Sequence, residues 1–185
     1  ANLRQGENTL RFYNPDAPAP DLDKVEVYAD HSFKLEEKGV YISDLDWVSA
    51  SSGWSGHAVQ KDHSIYSAAS QLDLGGIIYE KGLGTHAPSE IVYALNGDYA
   101  RFRSLVGVAY NRWDASGNVN FQVYGDDALL AESGVMTGKP YTPARYLDVD
   151  VTGVQTLKLV VDPNGANSDD WANFCNTRLI QGLAD

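Results

Sequence analysis

The 185-residue chain has a single cysteine and no long apolar run, and each scarcity excludes a class of protein. Cys175 cannot form an intrachain disulfide, and its place between Phe174 and Asn176, in what reads as a final strand, predicts a buried, inert thiol. No run approaches the ~20 apolar residues that cross a bilayer, so we expect no membrane insertion. No basic stretch followed by an apolar core marks a signal peptide. Because the chain starts at Ala1 rather than Met, we expect a processed form or a fragment of a longer protein.

Basic residues are scarce as well. Lys and Arg number 14 against 25 Asp and Glu, which gives a formal net charge of −11. Nucleic-acid binding needs clustered Lys and Arg, and here they are scattered, so the composition excludes a nucleic-acid partner and favours a neutral ligand. Charged residues make up 21% and hydrophobic residues 43% of the chain, which excludes a disordered polyelectrolyte. A chain of this length can bury one compact core.

Short strand patterns, in contrast, are abundant. Six runs predict strands: 10–13, 25–28, 90–95, 119–124, 147–151 and 157–161. Turn-forming residues separate them at 96–98, 116–118, 125–127, 152–153 and 163–165. The best helix candidate, 32–39, is short and weak. Strands this short and numerous, with 17 glycines, predict an all-β fold, either an antiparallel β-sandwich or a jelly roll.

Three segments carry a family resemblance. They are YISDLDWVSASSGWSGHAVQKDHS (41–64), KGLGTHAPSEIVYAL (81–95) and DDWANFCNTRLI (169–180). Together they resemble the NPCBM domain, also called carbohydrate-binding module family 51, over residues 40–180. The resemblance implies a galactose-binding-domain-like β-sandwich attached to a secreted or cell-surface bacterial glycoside hydrolase. It also implies a noncatalytic function, which is to target the covalently linked parent enzyme to galactose-containing glycans or oligosaccharides.

The first thirty residues differ from the rest. Residues 1–30 resemble the closing strands of a preceding β-domain, and the alternative is that they supply extra strands to the module's own sheet. The connector NPDAPAP (14–20) is stiff, because each proline fixes φ and removes a donor. The predicted module therefore spans residues 31–185.

Sugars are recognised by flat aromatic faces together with a few directional polar groups. Trp54 lies among small residues that cannot bury it, and Trp113 lies in a polar loop, so both are candidate sugar platforms. Trp47 is a third candidate, although its neighbour Asp46 also fits a core tryptophan whose indole N–H is satisfied nearby. The same alternative applies to Trp171.

Three polar residues complete the predicted sugar site. His86 follows two glycines and is predicted to open a strand, with its imidazole at a loop mouth where it can donate and accept hydrogen bonds. The alternative is a structural bond from His86 to a backbone carbonyl. Gln60 and Asp62 match the family pattern and place donor and acceptor groups on one segment. Asp62 could instead cap a loop or bind a cation.

Calcium is a candidate structural ion. The Asp-rich segment 162–170 offers oxygen ligands, and we name Asp162, Asp169 and Asp170 as the candidate metal ligands. The segment lacks the spacing of an EF-hand, and it has Ser168 where the family often carries histidine. A solvated turn is the alternative.

Catalysis by the chain itself is poorly supported. A glycosidase needs two carboxyls about 5–10 Å apart across a cleft. The pairs Asp44 with Asp46 and Asp148 with Asp150 are spaced i, i+2, which on a strand puts both side chains on one outward face. No G-x-S-x-G elbow occurs. The main alternative to sugar binding is therefore a structural or protein-interaction β-sandwich without a sugar site of its own.

Overall fold

Alternating apolar and polar side chains build two antiparallel sheets that face each other across one core. The computed structural model describes residues 39–67, 69–109, 117–138, 144–165 and 168–182. The first sheet contains β1 (Gly39–Tyr41), β3 (Gln60–Lys61), β6 (Gly82–His86), β8 (Arg101–Val108), β11 (Arg145–Asp150) and β13 (Trp171–Ile180). The second contains β2 (Ser49–Ser51), β7 (Ser89–Ala94), β9 (Asn118–Gly125), β10 (Ala128–Thr137) and β12 (Thr156–Asp162). A separate hairpin pairs β4 (Leu72–Leu74) with β5 (Ile77–Tyr79), and Ile42–Asp44 forms one turn of 3₁₀ helix.

The strand order confirms the predicted antiparallel sandwich. The first sheet runs β11-β8-β13-β6-β3, with β1 also paired to β13, and the second runs β10-β9-β12-β7-β2. Every strand pairing in the described residues is antiparallel.

The core lies between the two sheets, as the period-2 pattern predicts. In β9, Val119, Phe121 and Val123 are all fully buried, whereas the residues between them are half-buried. Phe121 meets Phe174 of the opposite sheet edge to face, with ring centroids 5.0 Å apart. Such a pair adds about 1 kcal/mol to the apolar burial. The burial of this strand therefore follows the period-2 pattern of its sequence.

The longest strand of the first sheet, β13, organises the site. Along one side it pairs with β8, and along the other it pairs first with β6 and then with β1. The change of partner occurs at a β-bulge, where Asn176 has a φ of 51° and donates its backbone N–H to the Lys81 carbonyl at 2.7 Å. Cys175, just before the bulge, is fully buried, and burial raises the pKa of its thiol. The predicted buried thiol is confirmed.

Some predictions fall outside the described residues. These are the strands at 10–13 and 25–28, the domain boundary after residue 30, and the helix candidate except for Gly39, which begins β1. The described residues all belong to a single compact unit, 36–185. No helix in the described part of the chain is long and apolar enough to span a bilayer.

Candidate functional site

Five rings from four segments of the chain meet beyond one end of β6 and β13. They are Trp54, His57, Tyr66, His86 and Trp171, and we call them the aromatic cluster. Trp54 is central, because its ring lies 5.8 Å from Trp171, 6.0 Å from His86 and 6.2 Å from Tyr66, centroid to centroid. The structure therefore brings Trp54 and His86 together.

Strand register places the inner part of the aromatic cluster. His86 ends β6 and is the backbone partner of Trp171, which begins β13. The two rings meet edge to face at 6.0 Å. The prediction that His86 opens a strand is wrong, because β6 begins at Gly82 and His86 is its last residue.

A glycine holds the Trp54 loop against this strand end. Gly53 donates its N–H to the His86 carbonyl at 2.9 Å. A Cβ added to Gly53 would lie 2.2 Å from the Ala87 carbonyl oxygen and 2.5 Å from Pro88 Cδ. No side chain fits in that space, so the close approach of the loop requires glycine here.

Burial divides the aromatic cluster into a floor and a rim. His86 and Trp171 are each only 6% exposed, whereas Tyr66 is 44% exposed and Trp54 is partly exposed. The exposed imidazole of His57 lies parallel to Trp54 at 3.8 Å and covers one indole face. The rim, which consists of Trp54, His57 and Tyr66, is therefore the surface that solvent or a ligand meets first.

His86 has a defined tautomer in its neutral form. Its Nδ1 lies 2.6 Å from the Ala87 carbonyl oxygen, which can only accept, so Nδ1 carries the proton and donates. This hydrogen bond to a backbone carbonyl is the structural role that His86 was given above as an alternative to sugar binding. Nε2 remains an acceptor in the neutral ring, so His86 can accept a hydrogen bond from the hydroxyl of a ligand that reaches the floor.

The structure places Trp47 elsewhere. It packs against the main core and lies under the Lys61 ammonium, 4.8 Å from the ring centroid. Lys61 also donates to the Leu45 carbonyl at 2.5 Å and pairs with Asp46 at 3.7 Å. None of these contacts joins Trp47 to the aromatic cluster.

Asp62 lies at the other end of β6 from His86. Its carboxylate accepts from Lys81 Nζ at 2.8 Å and from the Gly82 N–H at 3.1 Å, and Lys81 also reaches Asp44 at 2.5 Å. Burial acts to raise the pKa of Asp62, but the hydrogen bonds that it accepts outweigh burial and lower the pKa below 3.8. We call these three residues, Asp44, Asp62 and Lys81, the lysine clamp.

Gln60 lies on β3 beside Gly84, and its amide donates to the Ala58 carbonyl at 2.6 Å. Like Asp62, it makes no ring contact or hydrogen bond with the aromatic cluster among the described residues. Gln60 and Asp62, which were predicted to belong to the sugar site, are therefore separated from Trp54 and His86.

Trp113 lies outside the described residues, but the two ends of its segment do not. Ala109 packs with Trp171 and Ile65, and it donates its N–H to the Trp171 carbonyl at 2.9 Å. A Cβ on Gly117 would lie 2.3 Å from the Asp169 carbonyl oxygen. Both ends of the segment are therefore close to β13 where it enters the aromatic cluster.

The Asp-rich segment uses two of its carboxylates for turns and links. Asp162 caps its own turn by accepting from the Asn164 N–H at 2.8 Å. Asp170 is fully buried and accepts from the Asn118 N–H at 2.7 Å, which ties β9 to β13. Burial raises the pKa of Asp170. Within the described ranges, no three His, Cys, Asp or Glu side chains are grouped so as to hold a metal ion.

The carboxylate pairs do not form a catalytic cleft. Asp148 and Asp150 point outward from β11, and Asp148 accepts from Arg101 Nε at 2.9 Å. Asp44 lies in the 3₁₀ turn rather than on a strand and is held by Lys81.

Sequence reasoning missed two rim residues and undervalued one floor residue. Tyr66 and His57 each have the signal of a ring in a polar loop, and neither was among the predicted site residues. Trp171 was considered as a core residue, and it is both buried and part of the aromatic cluster.

Comparison with known families identifies the domain. The family model described as the NPCBM/NEW2 domain matches residues 38–180. The chain belongs to the NPCBM/NEW2 domain family. This membership confirms the predicted resemblance and the prediction of a noncatalytic module.

Relatives of this NPCBM/NEW2 domain occur in large glycosidases. A putative endo-alpha-N-acetylgalactosaminidase of Renibacterium salmoninarum is 34% identical over 153 residues, which are 80% of this chain and 10% of the relative. The chain thus spans about a tenth of the length of that curated relative.

Two solved structures share the fold. The CBM51 of Clostridium perfringens GH95, in complex with methyl-galactose, is 38% identical with a TM-score of 0.69, and the match covers 76% of this chain and 99% of the other. The CBM51-2 and INT domains of Clostridium perfringens ZmpB, with GlcNAc, are 35% identical with a TM-score of 0.69, and the match covers 78% and 32%.

Proposed function

We propose that this NPCBM/NEW2 domain binds a terminal galactose-type sugar at the aromatic cluster, and that it holds the catalytic domain of a larger, secreted or cell-surface glycoside hydrolase near galactose-containing glycans. The observation that carries the proposal is the convergence of Trp54, His86 and Trp171 from three distant segments onto one partly exposed surface. The methyl-galactose complex of the 38% identical CBM51 supports the choice of sugar.

The chemistry of the rim suits a pyranose. Trp54 and Tyr66 offer aromatic surface to the apolar C–H face of a sugar, and the tyrosine hydroxyl can donate or accept. The imidazole of His57 adds a second polar edge. A neutral sugar also agrees with the net charge of −11, because a negatively charged protein repels an anionic ligand.

Affinity for a single sugar is expected to be weak. A shallow site buries little ligand surface, and each hydroxyl contact replaces a bond to water. We expect a Kd on the order of 1 mM, which corresponds to about 4 kcal/mol. Attachment to an enzyme compensates, because the tether raises the local concentration of substrate around the catalytic domain.

The test is calorimetric titration of the domain with methyl galactoside and, separately, with N-acetylglucosamine. We expect Trp54→Ala to weaken galactoside binding at least tenfold while the circular dichroism spectrum stays that of the folded protein, and Trp113→Ala to weaken it as well. Trp47→Phe is the comparison variant, because Trp47 packs on the main core away from the aromatic cluster. Loss of binding in Trp47→Phe together with unchanged binding in Trp54→Ala would move the sugar site to the Trp47 region, with Gln60 and Asp62 as its polar groups.

A second candidate function is favoured by the burial of the floor. His86 and Trp171 are 6% exposed, as in a purely structural aromatic cluster, so a scaffold or protein-interaction domain is the alternative. The two functions differ on a glycan array. Binding of any galactose-containing glycan, abolished by Trp54→Ala, supports the first function, and a blank array with a folded domain supports the second.

A structural calcium ion near Asp162, Asp169 and Asp170 is a further proposal. Its support is the buried Asp170 carboxylate, of which Oδ2 has no hydrogen-bond partner among the described residues. If calcium binds there, the melting temperature rises on adding calcium to EDTA-treated protein, and Asp162→Asn reduces that rise. An unchanged melting temperature in the wild type would exclude the ion.

A further inference from the structure

A pocket lies at the opposite end of β6 from the aromatic cluster. It has a volume of about 250 Å³, and its lining residues are Tyr41, Ile78, Tyr79, Glu80, Lys81 and Asn176. β6 runs from Gly82, beside this pocket, to His86 in the aromatic cluster, so the backbones at its two ends are about 13 Å apart at the usual rise per residue. The two places are therefore separate surfaces.

The topology explains why a pocket exists here. β13 exchanges β6 for β1 along one side, and the exchange leaves a break in the sheet at the Asn176 bulge. Tyr41 ends β1 on one side of the break, and the Lys81 backbone accepts from the Asn176 N–H on the other. The β4–β5 hairpin closes a further side with Tyr79.

Two polar groups at this pocket, Lys81 and Tyr41, are held in place before any ligand arrives. Lys81 is fixed by both carboxylates of the lysine clamp, at 2.5 and 2.8 Å. Tyr41 accepts a hydrogen bond from Arg178, whose guanidinium also lies 4.2 Å from the tyrosine ring centroid. Groups that are already ordered lose little entropy when a ligand binds.

Charge and chemistry together indicate the kind of ligand. The one ammonium of the pocket is already neutralised by two carboxylates, so nothing favours an anion. The side-chain amide of Asn176 makes no hydrogen bond to another described residue, and it offers two donors and an acceptor. Tyr79 packs on the buried Leu72, Leu74 and Cys175, and burial raises the pKa of its phenol, so its hydroxyl stays protonated. Ile78, 46% exposed, supplies apolar surface.

Size limits the ligand further. The pocket volume lies just below the range of about 300–1,000 Å³ typical of small-molecule sites, so it fits one ring rather than a chain of rings. A pocket whose ammonium is already paired, and which offers aromatic, aliphatic and amide groups beside the Glu80 carboxylate, matches a neutral pyranose with its hydroxyls.

We propose that this pocket is a second saccharide-binding site, which takes one neutral pyranose against Tyr79 and Ile78 with Asn176 as the hydroxyl-binding amide. The proposal rests on the proposed sugar-binding function and extends it, because two sites on one domain make binding to a multivalent glycan surface bivalent.

The test is NMR titration of the ¹⁵N-labelled chain with methyl galactoside and, separately, with N-acetylglucosamine. We expect two sets of signals to shift with one of these sugars: the Trp54 indole N–H with its neighbours, and the Asn176 side-chain amide with the backbone amides of Lys81 and Gly82. In Asn176→Gly, which lacks the side-chain amide signal, the backbone amides of Lys81 and Gly82 should shift at least tenfold less strongly at equal sugar concentration, while the first set is unchanged. Glycine retains the positive φ of 51°, so this variant removes the amide without straining the bulge.

Asn96→Gly is the matched control. Asn96 also has a positive φ, 54°, but lies in the turn after β7 and does not line the pocket. It should alter neither set of shifts. Trp54→Ala should remove the first set and leave the second.

The two proposals fail in different ways. Shifts around Trp54 without shifts around Asn176, for both sugars, overturn the second site and leave the proposed function standing. Shifts around Asn176 that persist unchanged in Asn176→Gly overturn the second site too. If the Asn176 signals shift and the Trp54 signals do not, the aromatic cluster is not the sugar site. If no signal shifts with either sugar, both proposals are overturned.

Discussion

Tyr93 shows how a single hydroxyl can lower the stability of a well-packed core. It lies on β7, is 1% exposed, and its hydroxyl has no hydrogen-bond partner among the described residues. Burial raises its pKa, so the group stays neutral. A buried, unsatisfied hydroxyl costs about 1–3 kcal/mol relative to the same group in water.

We therefore expect Tyr93→Phe to increase the free energy of unfolding by about 1 kcal/mol. Urea denaturation at pH 7 measures the change. Tyr124→Phe is the control, because the Tyr124 hydroxyl donates to Gln122 on the outward face of β9 and its removal should change stability little. A less stable Tyr93→Phe variant would mean that the hydroxyl has a partner in the folded protein.

Asp62 gives the fold an acid-sensitive contact. Burial acts to raise its pKa, but the hydrogen bonds from Lys81 and Gly82 lower the folded-state pKa below 3.8. A depressed acid pKa stabilises the fold above the unfolded-state value, and this contribution disappears as pH falls through the folded-state value. Because the carboxylate is about one third exposed, solvent screening limits the contribution to about 1 kcal/mol or less.

Asp62→Asn should thus be less stable than the wild type at pH 7, and the difference should shrink towards zero below pH 3.8. Asparagine is suited to the change, since it accepts the positive φ of 62° and can still accept from the Gly82 N–H. Urea unfolding at a series of pH values between 7 and 3 gives the result. A difference that is constant with pH would show that the ionic part of the contact contributes nothing.

Among the elements, the loop that carries Trp54 depends on a contact that only glycine allows. Gly53→Ala would drive a methyl group into the Ala87 carbonyl, 2.2 Å away, so the loop must move off the strand end. We expect galactoside affinity to fall at least tenfold while the two sheets stay folded. Gly182→Ala makes the same change where the nearest atom is 3.7 Å away and should leave affinity unchanged. Equal affinities in calorimetry for the two variants would show that the Trp54 loop does not form the sugar site.

The strands differ in how well the sequence predicts them. β9 alternates along its whole length and β11 alternates from Tyr146 onward, so their faces were predictable from residue type alone. β10 does not, because its register shifts at two places and Gly134 adopts a φ of 64°, which breaks the period-2 pattern. β6 is buried along its whole length, so it has no exposed face whose polar residues would mark it as a strand.

The aromatic cluster was only partly predictable for a related reason. The ring types of Trp54 and His86 and their loop context marked them as candidates. Their meeting with Trp171 depends on the register of β6 against β13, which local sequence does not encode. Asp62 illustrates the opposite case: it shares a short segment with the aromatic residues, but the length of β6 separates it from His86.

For the molecule as a whole, the net charge of −11 makes salt an informative variable. A neutral sugar gains nothing from the long-range field of the protein, so screening should not affect its binding. We expect the Kd for methyl galactoside to change less than twofold between about 50 and 500 mM NaCl, where the Debye length falls from roughly 14 to 4 Å. A steep salt dependence in calorimetry would indicate a charged ligand instead.

The solitary thiol makes the central strand of the first sheet experimentally accessible. Cys175 is fully enclosed on β13, so an added disulfide reagent can modify it only when that strand separates from its neighbours. The rate of labelling in native buffer, followed by mass spectrometry, therefore reports the frequency of that opening. If bound sugar restrains the Trp171 end of β13, labelling of Cys175 should slow. Sugar binding at the aromatic cluster would then be coupled to the opening of a strand in the protein interior.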